Sequence, residues 1–441
     1  MKLIPINIKP YHYLTLIGLF SYSAYSQSLN LNVSGAGSRS TAMGGAFIGV
    51  ADDVTAVYWN PAGTATIDYT YEMLEDGQGM HALVSGRNQS LQVTSETTPV
   101  TYTPRFSPSF VGVMIPYKKA TLTGKPVSLG RFDPSIVFSA AYHNVMDGNN
   151  YQIQQTLPSS STSIKSNLNI STASLSAAYQ FSPYMSVGLT ANYWFGLGGK
   201  LSYTATQQSD NLTRTGTGQY RISGVNFIGG LMFDFYDNNL PLRLGVRVST
   251  PFALRNKYTL NGTIERGSLD LQESSLYNQK YKMPFTVGVG VAYRPFWRLL
   301  LTGDVEVLPY KGQSVSQTFF EYNQYNSLFS SSSLPLVVDN PVRPVLATQN
   351  LYQLRGGGEV FLLDSRLFEM RILGGYRQQS YLNNDGSSSI ARGFSAGVSV
   401  FFDRFKIHGA YEQLKYQQGV TSINHLTRTN LTLDLVVLLQ N

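Results

Sequence analysis

The chain has 441 residues, no Cys and a net charge of +7, yet only 13% of it is charged, against about 25% in a soluble domain. Lys and Arg are scattered rather than clustered, which argues against nucleic acid, and the lack of Cys removes disulfide, thiol and Cys-metal chemistry. Polarity comes instead from Ser, Thr, Asn, Gln and 29 Tyr, a composition that suits one apolar face, one wet face and little surface charge.

Residues 1–26 read as a secretory signal. Lys2 and Lys9 precede a short apolar run, Tyr13 to Phe20, and Ala24-Tyr25-Ser26 forms a small-x-small cleavage site. The run is far shorter than the ~20 residues of a spanning helix, and no later stretch is long and apolar enough for one. An exported chain of this kind is either soluble outside the cytoplasm or a barrel.

Residues 27–79 read as an N-terminal plug, or hatch. Its centre is Gly35 to Gly63, which is rich in small residues, carries Asp52-Asp53 and ends on Asn60-Pro61-Ala62-Gly63. Asp68 to Gly79 is acidic and polar and reads as a linker.

From residue 80 to 441 the pattern has period two, with side chains on alternate faces of a sheet. Val187, Leu189, Ala191, Tyr193 and Phe195 oppose Gly188, Thr190 and Asn192. Phe285, Val287, Val289, Val291 and Tyr293 oppose Gly288, Gly290 and Ala292. Leu299, Leu301, Val305 and Val307 oppose Thr302, Asp304 and Glu306. Leu431, Leu433, Leu435, Val437 and Leu439 oppose Thr432 and Asp434.

About fourteen strands of roughly ten residues are predicted, the length a tilted membrane strand needs. Short connections at Ser182 to Tyr184, Asp237 to Pro241, Arg294 to Trp297, Leu363 to Leu367 and Asp403-Arg404 alternate with long ones. The long ones are His143 to Asn169, Gly196 to Gln219, Pro251 to Met283, Leu308 to Leu351 and Glu412 to Thr429. Lys118 to Asp133 is long for its place. This asymmetry marks an outer-membrane barrel and has no reason to occur in a soluble sandwich. The expected fold class is therefore all-β, a 14-stranded antiparallel transmembrane β-barrel with an N-terminal plug, in the cell outer membrane of a Gram-negative-type cell. An even strand number puts both termini in the periplasm. Aromatics near strand ends, among them Tyr142, Tyr179, Phe181, Tyr193, Trp194, Phe195, Trp297 and Tyr411, read as girdles facing outer-membrane lipids. Ser159 to Ser163 and Ser330 to Ser333 read as loop tips.

The motifs Gly35-Ala36-Gly37, Ala42-Met43-Gly44-Gly45-Ala46-Phe47, Ala51-Asp52-Asp53 and Trp59-Asn60-Pro61-Ala62-Gly63 resemble the N-terminal region of the FadL/TodX family of outer-membrane transporters for hydrophobic compounds. Met283-Pro284-Phe285, Leu354 to Glu359, Arg371 to Tyr376 and Phe394 to Val400 extend the resemblance over the mature chain. It implies a fourteen-stranded barrel with a hatch, diffusion of a hydrophobic small-molecule ligand such as a long-chain fatty acid into the cell, and escape through an opening in the wall. Pro134, Gly224 and Gly229-Gly230 are candidates for that opening. The Gly-Gly-Ala-Phe form also resembles PorV-type relatives, barrels that act as shuttles in protein secretion. This leaves a monomeric transporter or a partner of a secretion-system protein. A general porin expects an open charged lumen without a plug.

Gly44, Gly45, Phe47, Asp52, Asp53, Asn60, Pro61 and Ala62 are the hatch or gating candidates. Asp52 and Asp53 read as partners of plug backbone, since buried carboxylates need donors. Asn60-Pro61 reads as a fixed turn. The five His do not stand at metal-ligand spacing, Gly356-Gly357-Gly358 lacks the Lys-Ser/Thr of a phosphate loop, and the many Ser near His143 and His408 give no distinct Ser-His pair. No enzyme activity, cofactor or metal is expected.

Overall fold

Strands begin where the period-two pattern begins, but they run on into polar sequence. The computed structural model describes residues 35–66, 79–94, 106–118, 121–123, 131–133, 135–157, 160–207, 212–236, 240–266, 269–313, 317–327, 334–335, 346–365, 368–382, 386–416 and 425–440. The expected signal, the linker apart from Gly79, Pro134, Ser159 and Ser330 to Ser333 lie outside these residues.

The strands are β1 (Gly79–Thr94), β2 (Phe106–Lys118), a small separate hairpin of β3 (Thr121–Thr123) and β4 (Arg131–Asp133), β5 (Ser135–Leu157), β6 (Ser160–Ser182), β7 (Met185–Gln207), β8 (Leu212–Asp234), β9 (Leu242–Ser249) and β10 (Phe252–Arg266). They continue with β11 (Leu269–Met283), β12 (Thr286–Phe296), β13 (Leu299–Leu308), β14 (Gln317–Ser327), β15 (Leu334–Pro335), β16 (Leu351–Asp364), β17 (Phe368–Leu382), β18 (Ser388–Phe402), β19 (Phe405–Tyr416) and β20 (His425–Gln440).

Fourteen of these, β1, β2, β5 to β9, β12, β13 and β16 to β20, form a ring of antiparallel pairs. The ring closes where β20 pairs with β1 from Gly79↔Gln440 to Thr94↔His425. Closure leaves the ring without a free edge strand, which a membrane requires.

Most of the expected long loops are largely strand. The hairpin of β5 and β6 pairs up to Leu157↔Ser160, so His143 to Asn169 is a continuation of the wall and Ser160 to Ser163 lie in β6. β7 and β8 likewise run 23 residues each. Pro251 to Met283 holds the hairpin of β10 and β11, which packs between the upper part of β8 and β14. In β10 the alternation sets Leu254, Tyr258 and Ile264 against Arg255, Lys257 and Glu265, whereas Ser160 to Ser163 and Thr215 to Gln219 lack hydrophobic contrast. The result is a tall wall on one side of the barrel, and the connection after β2 contains the β3–β4 hairpin.

The outer face carries the expected apolar set: Leu189, Tyr193, Val289, Val291, Leu301, Leu431, Leu433 and Leu435 are all exposed. Trp194 is a correction to the girdle. It points inward and is buried, between outward Tyr193 and Phe195, because it follows the inward parity of Thr190 and Asn192.

Inside the ring lies the plug. It has two short helices, α1 (Ser38–Ala42) and α2 (Ala56–Trp59), and a 3₁₀ turn over Pro61–Thr66. Helices of one turn are not stable alone; the wall holds them. The inner wall is shaved by glycine at the contacts. A Cβ on Gly290 would stand 2.5 Å from the Gly49 amide, and one on Gly375 would stand 2.1 Å from the Gly44 amide. The Gly288 and Gly290 face read from the sequence is thus the seat of the plug.

Candidate functional site: the plug and the pocket beside it

The plug is held by side chains of the wall on plug backbone. Asp304 accepts the amides of Phe47 and Ile48 at 2.6 and 2.8 Å, while Thr302 donates to the Ala46 carbonyl at 3.1 Å. Ser395 accepts the Gly44 amide at 3.0 Å and donates to the Ala42 carbonyl at 2.8 Å. Asp434 accepts the Ser38 amide at 2.5 Å. Ser186 and Thr190 donate to the carbonyls of Ala62 and Val57 at 2.8 and 3.0 Å. Short helices leave most of their amides and carbonyls unpaired, and the wall supplies the missing partners.

The predicted plug residues fall into this scheme. Gly44 and Gly45 both take positive φ, 68° and 78°, which a side chain resists. Phe47 is fully buried, with the Arg39 guanidinium 5.5 Å from its ring centroid. Asn60 donates to the Ile48 carbonyl at 3.1 Å and to the Leu231 carbonyl of β8 at 3.0 Å, and accepts the Ala62 amide at 3.3 Å. It therefore makes the turn onto its own backbone and also clamps plug to wall. Pro61 opens the 3₁₀ turn, and Ala62 is buried.

The two carboxylates part company. Asp53 accepts the Thr55 amide and hydroxyl at 2.7 and 2.5 Å, a backbone partner as expected. Burial raises its carboxyl, against the pull of Arg39 and the Thr55 hydrogen bonds. Asp52 instead faces Arg39 at 2.5 Å. Burial would raise it, but Arg39 outweighs this, with help from Arg243 and Arg371, and holds it at about 2. Arg39 reaches on to Glu359 of β16 at 2.8 Å, and Arg371 pairs with the other oxygen of Glu359 at 2.5 Å.

Two more buried networks line the wall: Arg247–Glu306–Arg355, at 2.7 and 2.6 Å, and Arg377–Glu412–Asn430. None of these wall residues was among the hatch or gating candidates read from the sequence. Their signal was there in part, since Asp304, Glu306 and Asp434 stand on the inward face of spanning strands, where a charge needs a partner. Among the described residues no group of three or more His, Cys, Asp or Glu is placed to hold a metal. His408 Nδ1 and Ser399 Oγ lie 2.7 Å apart, buried beside α1.

Toward the tall end the inner wall turns apolar. Val145, Ile170, Trp194, Ile222, Leu254 and Met283 join Leu308, Tyr310, Leu351 and Leu382 in one buried cluster, drawn from strands around the wall. Below it is a pocket of about 80 Å³ between Tyr58 of the plug and Trp194, Ile228, Phe252, Met283 and Tyr310. Much of its polar lining is paired within the wall: Asn226 accepts from Trp194 Nε1 at 2.7 Å and donates to Ser249 at 2.8 Å, and Arg247 pairs with Glu306.

The wall beside the pocket is interrupted. β9–β12 pairing runs to Ser249↔Thr286 and β10–β11 resumes at Phe252↔Met283, so Pro251 and Pro284 fall in the gap. Proline cannot donate to a ladder. On the next edge β12 pairs with β13 from Val287, and β11 pairs with β14 only as far as Lys280; among the described residues Tyr281 to Thr286 have no ladder partner there. Gly224 sits at the adjoining break, between Ile228↔Ser249 and Ser223↔Arg255. Gly229 and Gly230 do not, being in continuous pairing, with Gly230 packed on Asn60 and Pro61.

Several solved structures share this architecture. The toluene transporter TodX of Pseudomonas putida is 14% identical with a TM-score of 0.60, over 93% of this chain and 99% of that one. The toluene transporter TbuX of Ralstonia pickettii is 14% identical with a TM-score of 0.57, over 93% and 100%. A FadL homologue of Pseudomonas aeruginosa is 12% identical with a TM-score of 0.51, over 91% and 96%. At such identities the likeness is one of fold: a FadL-like outer-membrane barrel of fourteen strands. None of the curated proteins is similar to this chain in sequence. A family match spans residues 22–333, well over half of the 441, and by it the chain belongs to the BamG family.

Proposed function

We propose that this barrel admits small hydrophobic compounds across the outer membrane, with the short-turn end and both termini in the periplasm. A compound enters from the tall end, rests in the pocket against Trp194, Phe252 and Met283, and leaves sideways where the ladder stops at Pro251 and Pro284. The buried apolar cluster beside the pocket carries this reading: Trp194 and Met283 belong to both, so a hydrophobic guest in the pocket rests against apolar side chains and out of water. Trp194, Asn226 and Ser249 are hydrogen-bonded to one another and Arg247 to Glu306, so an apolar guest leaves these polar groups paired. Size argues against a folded long acyl chain: the pocket is about 80 Å³, below the ~150 Å³ of a cavity that admits benzene, so even a single aromatic ring enters only as lining side chains such as Met283 move aside.

Uptake of labelled toluene by cells carrying the barrel in their outer membrane tests this. Uptake that drops severalfold with Ile228→Phe, which fills the pocket, supports it. Uptake unchanged by that filling sinks it.

A second reading, an envelope protein partner, is favoured by how firmly the plug is tied down. Asp304, Ser395 and Asp434 of the wall hold plug backbone, and Asn60 of the plug donates to the Leu231 carbonyl of the wall. A stoichiometric protein that co-purifies with the barrel, and a role that survives Ile228→Phe, would favour it.

A further inference from the structure

Among the described residues, the outer face of the tall wall carries a one-signed patch. On β8 and β10, Ile222, Leu254 and Asn256 point inward and are buried, while Arg221, Arg255 and Lys257 are exposed on the outer face. Lys280 and Lys282 of β11 share that face: Arg255 stands opposite Lys280, and Lys257 opposite Arg221. Lys200 of β7 extends the row, opposite Gln219. Like charges directly opposite across a ladder destabilise it, so the arrangement calls for a counter-charge from outside. Among the described residues none of these six side chains has an ion-pair or hydrogen-bond partner. The next outward carboxylate along β10 is Glu265, far beyond Lys257 toward the tip.

The height of the patch is informative. Below it the outer face is apolar: Val225, Phe227, Val248 and Phe285 are exposed. From Phe296 to Phe285, at ~3.3 Å per residue and a tilt of ~40°, the apolar part of β12 spans roughly 28 Å, close to the ~25 Å band of an outer-membrane barrel. Lys282 and Lys280 follow directly. The cations stand at headgroup level, continuous with the lipid-facing wall.

We propose that this patch on β8, β10 and β11 binds the phosphate groups of an outer-leaflet glycolipid of the lipid A type. Arg221 and Arg255 offer planar forks that suit phosphate oxygens, and the lysines add point charges. The inference takes only its choice of leaflet from the orientation proposed above.

The test uses the full chain in neutral detergent, incubated with bis-phosphorylated lipid A or with the same lipid stripped of phosphate, and read by native mass spectrometry. The expected result is at least tenfold preference for the phosphorylated form, weakened by salt and not displaced by millimolar inorganic phosphate. It falls at least tenfold in the triple variant Arg255→Gln, Lys257→Gln, Lys280→Gln. Equal retention of the two lipids overturns the proposal, as does a folded triple variant that binds like the parent. If the triple variant does not fold, the lipid pair on the parent barrel alone decides. Orientation is read separately, by amine labelling of Lys282 on intact cells.

Discussion

The Arg39 guanidinium of the plug lies 2.8 Å from Glu359 of the barrel wall, and both side chains are buried. Arg39 also holds Asp52, so one cation joins the two halves of the plug to β16. Removing one member of a buried ionic group strands the others, at a cost of about 3–5 kcal/mol. Arg39→Ala therefore loosens the plug while the ladder-closed barrel survives. Limited proteolysis checks this: cleavage within residues 35–66 rises, and the heat-modifiable gel migration of the barrel persists.

Acid acts on the same joint. The folded-state value for Asp52, about 2, lies below its ordinary 3.8, so its contribution is fully present above pH 4 and is lost as pH falls through about 2. Plug protection from an acid-tolerant protease is expected to hold at pH 4 and weaken between pH 4 and 2. In Asp52→Asn that step disappears, leaving protection lower but flatter.

Gly375 leaves room for the plug backbone at Gly44, since a Cβ there would stand 2.1 Å from the Gly44 amide. Both groups are backbone, so nothing flexible can yield. Gly375→Val is expected to displace the plug without breaking the β16–β17 ladder, whose pairing at Gly357↔Gly375 is regular. Single-channel conductance in planar bilayers reads this as a larger, noisier current than the parent barrel gives.

The barrel was legible in the sequence because outward apolar and inward small or polar residues alternate so regularly at Val187 to Phe195 and Phe285 to Tyr293. Parts of the tall wall were not, since Ser160 to Ser163 and Thr215 to Gln219 offer no hydrophobic contrast. The plug motif pointed to Asn60 and Asp53 as backbone partners, and both are. It missed Asp304, Ser395 and Asp434, which act from strands more than two hundred residues away; such pairing is set by barrel register rather than by local pattern. Trp194 looked like its neighbours Tyr193 and Phe195, and only strand parity separates it from them.

Ile228 is 2% exposed and lines the pocket. Ile228→Phe fills the space at a cost of about 1–3 kcal/mol for overpacking, tolerable for a closed barrel. Thermal unfolding of the variant is expected to shift by a few degrees with the transition still cooperative, which differential scanning calorimetry measures.

The most direct test of a hydrophobic pocket beside the plug uses Trp194, which stacks on Phe252 with ring centroids 5.2 Å apart. Bromobenzene, a heavy-atom quencher, is titrated into the purified barrel while tryptophan emission is followed, in the parent and in Trp194→Phe and Ile228→Phe. A saturable quenching phase present in the parent and absent from both variants is the predicted result. Quenching that rises linearly with bromobenzene and is the same in all three proteins would contradict the account.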